Sequence, residues 1–167
     1  TRRSSDLYLR KISGADVEII AGEPAAGDPR VPILVGDFAI KAFGEPAKKT
    51  RMKQGWRMVV SPRGVGLCGQ SDESTSFAIY ELLERLGCRW YMPGEWGEVV
   101  PRLDTVVLPE ADISSAPGTE GRVIWYADAA FKRRTRHGGD PFNGGHALEL
   151  NENYVSNAQL AEHPDWV

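Results

Sequence analysis

The stretch that decides the fold runs from Gly66 to Pro101 and reads GLCGQSDESTSFAIYELLERLGCRWYMPGEWGEVVP. It combines a short apolar run, a group of polar capping residues, an amphipathic segment, a glycine and a second apolar run. This order predicts a strand, a helix and a second strand, and two parallel strands require a connection of about this length. We therefore expect a β-α-β crossover unit within an α/β protein.

The central helix of this stretch is the most clearly marked element of the chain. Apolar side chains recur at three- and four-residue spacing and form one broad stripe: Phe77, Ile79, Tyr80, Leu82, Leu83 and Leu86. Ser71, Asp72 and Ser74 are alternative N-caps, because their side-chain oxygens can accept hydrogen bonds from first-turn N–H groups. Gly87 is the expected stop, since glycine readily adopts the left-handed conformation that ends helices.

Composition places the chain among ordinary soluble globular proteins. It has 167 residues, of which 41% are hydrophobic and 26% charged. The net charge is −3, so the chain lacks the excess of positive charge that attracts nucleic acid or an anionic membrane, and we expect neither partner. No apolar run approaches the roughly 20 residues that span a bilayer. The start at Thr1, without a visible signal peptide, indicates a processed, trimmed or excised N-terminus.

The remaining pattern predicts a mixed β-sheet with two helices packed on one face. A first helix should begin near residue 4 and end at Gly14. Strands are predicted at residues 17–20, 31–35, 55–61, 65–68, 88–91, 98–100 and 105–108, and residues 37–44 form a helical turn or irregular structure. Residues 62–64 should form the turn of a hairpin. The polar segment 45–54 is expected to be solvated.

The character of the chain changes after residue 108. Residues 109–121 are rich in proline, glycine and small polar residues and are expected to form a loop that marks a boundary. A new strand is predicted at residues 122–127. We therefore divide the chain into an α/β unit, residues 1–110, and the beginning of a second unit, residues 111–167.

Cys68 and Cys88 lie on the two predicted strands that flank the helix. A disulfide is conceivable if those strands are neighbours. The alternative, two buried free thiols that act as small hydrophobes, is the one we favour.

Several motifs carry a resemblance to a known group of proteins. They are ILVG at 33–36, LCG at 67–69 and above all FAIYELLERLGCRWYMPGEWGEVVP at 77–101. Pro117 followed by Arg122 and an apolar run, GGH at 144–146 and HPDW at 163–166 add to it. The chain resembles the N-terminal accessory domain of family-67 α-glucuronidases and family-20 β-N-acetylhexosaminidases. It is closer still to bacterial glycoside-hydrolase-like proteins that share this domain.

The resemblance implies an α/β accessory domain followed by the truncated start of a (β/α)8 barrel. The catalytic carboxylates of such proteins come from later barrel strands, so we expect no catalytic residue, no cofactor and no metal in this chain. The expected partner is a carbohydrate, including acidic glycans, and the expected location is secreted or periplasmic. The oligomeric state is left open.

We expect three substrate-binding residues, the first from the resemblance and the other two from their residue types. Arg122 would point from the first barrel strand toward a sugar, where guanidinium donors bind hydroxyls or a carboxylate. The alternative is a salt-bridged arginine at a domain boundary. His146, in a glycine-flanked loop, would hydrogen-bond a sugar or serve as an acid or base. Trp125 would stack on a sugar face, with buried packing as its alternative; the same two alternatives hold for Tyr126 and Trp166.

Other candidates are assigned structural roles. Glu95 and Glu98 are interpreted as solvated loop residues rather than a glycosidase acid/base pair. The basic run 132–136 either attracts anionic sugars or, as we favour, forms a solvated face. Trp90 and Trp96 are expected to seal the interface between the accessory domain and the barrel. The three histidines are spaced too irregularly to suggest zinc.

Two other functional classes are alternatives to a glycoside-hydrolase-like protein. The main alternative is a non-catalytic carbohydrate-binding or interaction module. A nucleotide-binding domain is disfavoured, because no glycine-rich loop follows a strand and opens a helix.

Overall fold

A computed structural model of the chain describes residues 2–25, 27–139 and 161–163. The helices within them are α1 (Arg2–Ser13), α2 (Asp37–Phe43), α3 (Asp72–Arg85) and α4 (Ala129–Arg134), with a 3-10 turn at Glu95–Gly97. The strands are β1 (Ile33–Val35), β2 (Trp56–Ser61), β3 (Gly64–Gly69), β4 (Arg89–Trp90), β5 (Glu98–Val99), β6 (Ala111–Ser115), β7 (Gly121–Arg122) and β8 (Gly138–Gly139). The fold is therefore mixed α/β, as the sequence predicts.

The main sheet has four strands in the order β1-β3-β2-β6. β1 runs parallel to β3, whereas β2 runs antiparallel to both β3 and β6. Two short antiparallel ladders, β4-β5 and β7-β8, lie outside this sheet. The β2-β3 hairpin follows the prediction, because Ser61 pairs with Gly64 across the two-residue turn Pro62-Arg63.

Helix α3 forms as its capping signals predict. Ser71 is the N-cap, and its hydroxyl accepts the Ser74 N–H while the Ser74 hydroxyl accepts the Ser71 N–H. Gly87, with φ of 99°, ends the helix, and the Cys88 N–H returns to the Leu83 carbonyl at 3.0 Å. The apolar face of α3 packs on β2 and β3, which buries Phe77, Leu83 and most of the predicted stripe.

The predicted crossover is wrong in its pairing. β4 does not join the sheet that contains β3, but forms an antiparallel ladder with β5. The parallel pair is instead β1 and β3, which are connected through α2 and β2. The strand predictions at 17–20 and 105–108 are also wrong, because neither segment forms a strand.

The edge strand β6 occupies part of the segment that we predict to be a loop. Ala111 and Ile113 face Val60 and Met58 in the register with β2, and Ile113 packs against the core. Because an edge strand needs only one apolar face, the polar residues Asp112 and Ser114 conceal it in the sequence. The sheet therefore includes residues on both sides of residue 110.

The strand predicted at residues 122–127 is cut short. Only Gly121–Arg122 pairs with another strand, and Tyr126 adopts a φ of 58°, which is incompatible with an extended strand. Among the described residues up to 110 there are three α-helices rather than the predicted two, because the helical alternative for residues 37–44 forms as α2. Helix α4 forms after residue 110, and its Phe131 is buried in the same core as residues of α1 and α3.

Trp90 lies inside this core rather than at an interface. Its ring makes edge-to-face contacts with Tyr8 and Tyr80, each with 5.4 Å between ring centroids. The assignment of Trp90 to a domain interface is therefore wrong. Cys68 and Cys88 are both buried and free, which confirms the thiol alternative, and burial raises the pKa of Cys88 to about 11.

Candidate functional site

A cleft of about 420 Å³ opens between the first turn of α3 and the segment that carries β7, α4 and β8. We call it the Arg122 cleft. The side chains that give it its chemistry are Glu73, Phe77, Arg122, Lys132, Arg133 and His137. Arg122 and His137 come together because the β7-β8 ladder pairs Arg122 with Gly138.

Arg122 is held in place by neutral acceptors. Its Nε donates to the Arg136 carbonyl at 2.9 Å, and its Nη1 donates to Gln54 Oε1 and the Thr119 carbonyl, each at 2.9 Å. The guanidinium lies 5.8 Å from the centroid of Phe77. Arg122 forms no salt bridge with any described residue, so the boundary-salt-bridge alternative is wrong.

The electrostatic environment of Arg122 is unusual for an arginine. Its Nη2 is buried and has no hydrogen-bond partner among the described residues. Burial lowers the pKa of the guanidinium, and the nearby Glu73 carboxylate acts in the opposite direction. The cleft therefore contains a partly desolvated guanidinium whose Nη2 group has no hydrogen-bond partner among the described residues.

Gln54 connects two of the residues that line the cleft, Arg122 and Glu73, through hydrogen bonds of its side chain. Its side chain is almost fully buried, accepts from Arg122, and donates from Nε2 to Glu73 Oε2 at 3.3 Å. The sequence prediction of a solvated segment at 45–54 is wrong for this residue. No local signal distinguishes Gln54 from its polar neighbours, since its partners lie 19 and 68 positions away.

His137 is a lining residue that sequence reasoning considered only as a zinc ligand. Its Nδ1 lies 2.8 Å from the Thr135 hydroxyl. Burial lowers the pKa of His137, and the positive charges of Arg122 and Lys132 lower it further, so the ring is neutral at pH 7. A neutral imidazole beside these two cations can accept a proton or a hydrogen bond.

The basic run 132–136 divides between two roles. Lys132 and Arg133 line the cleft. Arg136 instead binds Glu81 and Glu84 of α3 at 2.9 and 2.8 Å, and Arg134 lies 3.4 Å from Glu98. The prediction of a solvated face is therefore wrong for the last two arginines, which tie α4 to the rest of the core.

The structure does not bring all the predicted site residues together. Trp125 is half exposed and does not line the Arg122 cleft, and its ring lies edge-on to the fully exposed Tyr126 at 6.5 Å. The alternative of buried packing is wrong for both rings. His146 and Trp166 lie outside the described residues.

A second exposed aromatic group protrudes from the turn before β5. We call Tyr91, Met92 and Trp96 the aromatic turn. The Tyr91 N–H donates to the Gly97 carbonyl at 2.8 Å and closes the turn. Trp96 is 98% exposed, and Tyr91 and Met92 are also exposed.

Glu98 is not the solvated residue that the sequence predicts. Its carboxylate accepts hydrogen bonds from the Tyr8 hydroxyl, from Lys11 Nζ at 2.8 Å and from Trp90 Nε1 at 3.3 Å. Only 12% of its side chain is exposed. Glu95, three residues earlier, is exposed as predicted.

Two further properties concern the described part of the chain. No group of three or more potential metal-ligating side chains occurs there. None of its helices has the length and apolarity to cross a bilayer.

Comparisons of the chain with protein-family models, characterised proteins and solved structures find no match. The geometry of the chain's own residues therefore carries the functional argument.

Proposed function

We propose that the chain is the N-terminal part of a carbohydrate-active, glycoside-hydrolase-like protein. In this proposal the α/β unit supports a (β/α)8 barrel, the segment from residue 111 begins that barrel, and the acid/base carboxylates lie beyond residue 167. The proposal rests on the motifs at 77–101 and on one structural observation, the aromatic turn.

The aromatic turn has the composition of an interface that another domain covers. Protein interfaces are enriched in tryptophan, tyrosine and methionine, and one short turn exposes all three. Large exposed apolar groups that cluster in this way mark interaction sites more often than groups scattered singly. The sequence predicts that Trp96 lies at the interface with the barrel, and such a role requires a side chain that is exposed when the barrel is absent, as that of Trp96 is.

The first test is catalytic. The 167-residue chain should give no rate above blank on a panel of aryl glycosides and aryl uronides. The same chain extended by the residues that follow residue 167 should hydrolyse at least one of them. Turnover by the 167-residue chain itself would refute the supporting role.

The second test concerns the aromatic turn itself. Trp96→Ser should change the melting temperature of the 167-residue chain by no more than about 2 °C, because an exposed side chain contributes little to its stability. In the extended protein, Trp96→Ser should weaken the contact between the α/β unit and the barrel, so that a single cooperative unfolding transition becomes two. Val107→Ser, a loss of another exposed apolar side chain, is the control and should leave a single transition. An extended protein that unfolds identically with either residue at position 96 would contradict the proposal.

The Arg122 cleft favours a second candidate, a carbohydrate-binding module. Arg122, His146 and Trp125 remain the predicted sugar contacts, and Lys132 and Arg133 add donors at the cleft. Calorimetric titration of the chain with neutral oligosaccharides and oligouronides distinguishes the two functions. A binding module should bind in the absence of any barrel and weaken on Arg133→Gln but not on Arg102→Gln, an exposed control. A barrel support should show no binding.

A further inference from the structure

A second depression, separate from the Arg122 cleft, lies beside strand β1. It has a volume of about 400 Å³ and is bounded by α1, β1, α2 and the segment that follows α1. We call it the β1 groove. Its apolar lining includes Leu9, Val17, Ile19, Ile20, Val31 and Phe38. Ile19 and Ile20 are about half exposed, and Val31 is more exposed still.

Among the described residues, no strand pairs with β1 on the side away from β3. Parallel pairing joins Ile33, Leu34 and Val35 to Val65, Gly66 and Leu67. The Pro32 carbonyl accepts from Val65 and the Gly36 N–H donates to Leu67, so the even-numbered positions face β3. Because backbone groups alternate in direction along a strand, the N–H and C=O groups of Ile33 and Val35 face the open edge. Such an edge is a template for another strand.

The charge of the groove is predominantly negative. Its described lining residues include four carboxylates and one guanidinium. The carboxylates are Asp6, Asp16, Glu18 and Asp28, and the guanidinium is that of Arg30. Arg30 binds both Glu18 and Asp28, and Arg10 binds Asp16 at 2.5 Å. Asp6 is the exception, because its Oδ1 is buried and has no hydrogen-bond partner among the described residues. A buried acceptor without a donor is costly unless a ligand supplies one.

We propose that the β1 groove binds an extended peptide segment of another polypeptide, which adds to β1 as a fifth strand. Alternate apolar side chains of the peptide enter the groove, and one lysine or arginine side chain donates to Asp6. The residues of the open backbone edge, the exposed apolar side chains and Asp6 all line the same depression. Strand addition uses these three elements: main-chain hydrogen bonds for affinity, and pockets for alternate side chains and a charged partner for selectivity. The inference is independent of the proposed carbohydrate function.

The probe is the peptide Thr-Val-Thr-Arg-Thr-Val-Thr with fluorescein on its N-terminus and an amidated C-terminus, titrated with the 167-residue chain by fluorescence anisotropy. Its arginine lies on the same face of the extended peptide as its two valines. We expect saturable binding. A peptide with glutamate in place of the central arginine should bind at least about tenfold more weakly, and so should the arginine peptide with Asp6→Asn, because each change removes one charge-assisted hydrogen bond. Glu110→Gln, the same loss of charge at an exposed position before β6, is the control and should leave the dissociation constant unchanged.

The strand geometry is tested separately. Ile33→Pro removes one N–H that faces the open edge and leaves the hydrogen bonds to β3 in place, so it should abolish binding in a chain that retains its circular dichroism spectrum. Two peptide series address the same point without altering the protein. One carries N-methyl groups at odd positions and the other at even positions. Only the series whose edge-facing N–H groups are blocked should lose affinity.

Two results overturn the proposal. The first is no binding, or binding that neither Asp6→Asn nor either N-methylated series weakens. The second is concentration-dependent dimerisation of the chain in sedimentation experiments that Ile33→Pro abolishes, because a second copy of the chain would then be the occupant of the edge.

Discussion

Glu98 connects three elements through one carboxylate. Lys11 and Tyr8 come from α1, Trp90 comes from β4, and Arg134 comes from α4. Burial by itself raises the pKa of Glu98, but the hydrogen bonds from Lys11, Tyr8 and Trp90 outweigh it and hold the pKa below its ordinary value of 4.5. The folded state therefore binds the proton of this carboxyl more weakly than the unfolded state does.

This direction fixes the pH dependence. The stabilisation from Glu98 is fully present above about pH 4.5, the unfolded pKa, and is lost as the pH falls through the lower folded pKa. Glu98→Gln should lower the free energy of unfolding at pH 7 by about 2 kcal/mol, the contribution of charged hydrogen bonds, and by less at pH 3. Urea denaturation at both pH values measures this. Glu95→Gln, in the same turn but exposed, should have no effect at either pH. An equal loss from Glu98→Gln at pH 3 and pH 7 would contradict the linkage.

Single residues were predicted well only where their environment is local. Ser71, one of the three alternative N-caps, and Gly87, the expected stop, act within five positions along the chain, and the structure confirms both roles. The prediction that Glu98 and Gln54 are solvated is wrong, because their main partners lie far away in the sequence. Spacing along the chain contains no information on such distant contacts.

At the scale of elements, Gly69 determines how closely β3 approaches α3. A Cβ at this position would lie 2.3 Å from the Thr75 backbone N and 2.4 Å from the Ser74 carbonyl carbon. Both atoms belong to the first turn of α3 and cannot move without disturbing the cap. Only glycine allows the strand to end against the helix in this way.

Gly69→Ala should therefore lower the free energy of unfolding by about 1–3 kcal/mol, the usual cost of overpacking a well-packed region. Gly118→Ala is the matched control, since a Cβ there meets no atom within 4 Å, and it should change stability by less than about 0.5 kcal/mol. Equilibrium urea denaturation of the two variants gives the comparison. Equal stabilities would show that the first turn of α3 yields without cost.

The sequence predicts those helices and strands that carry a cap, a turn or a hydrophobic pattern of their own. It does not predict those that form only because a neighbouring strand pairs with them. Helix α3 and the β2-β3 hairpin have caps, a turn and a hydrophobic pattern, and both form where expected. Residues 17–20 look apolar enough for a strand, yet they line the β1 groove instead of joining the sheet. Strand β6 forms in a segment with a weak pattern because β2 offers it an edge.

At the scale of the whole molecule, strand order was the least predictable property. The sequence predicts a mixed sheet correctly, but not that β1 pairs with β3 or that β4 leaves the sheet. The Arg122 cleft depends on this level, because the β7-β8 ladder brings His137 to Arg122. The family resemblance predicts Arg122 as a sugar contact, whereas His137 has no local signal beyond its position after the basic run.

The position of β6 makes a prediction about where the α/β unit can be cut. A chain that ends at Glu110 follows the boundary in composition but removes β6, and with it the pairing along β2, the packing of Ile113 and the ion pair of Arg57 with Asp112 at 2.7 Å. A chain that ends at Gly118 retains all three. Both lose Phe131 and the two ion pairs of Arg136 with α3, so each should be less stable than the 167-residue chain.

The difference between the two shortened chains therefore isolates the contribution of β6. The chain ending at Gly118 should unfold cooperatively in urea, at a lower midpoint than the 167-residue chain. The chain ending at Glu110 should aggregate or unfold without a cooperative transition, because the hydrogen-bonding edge of β2 is left open next to a core that has lost part of its cover. Sedimentation together with urea denaturation distinguishes these states. Equal, cooperative unfolding of both shortened chains would mean that β6 adds nothing to the sheet, and that the change in composition at residue 109 is the structural boundary after all.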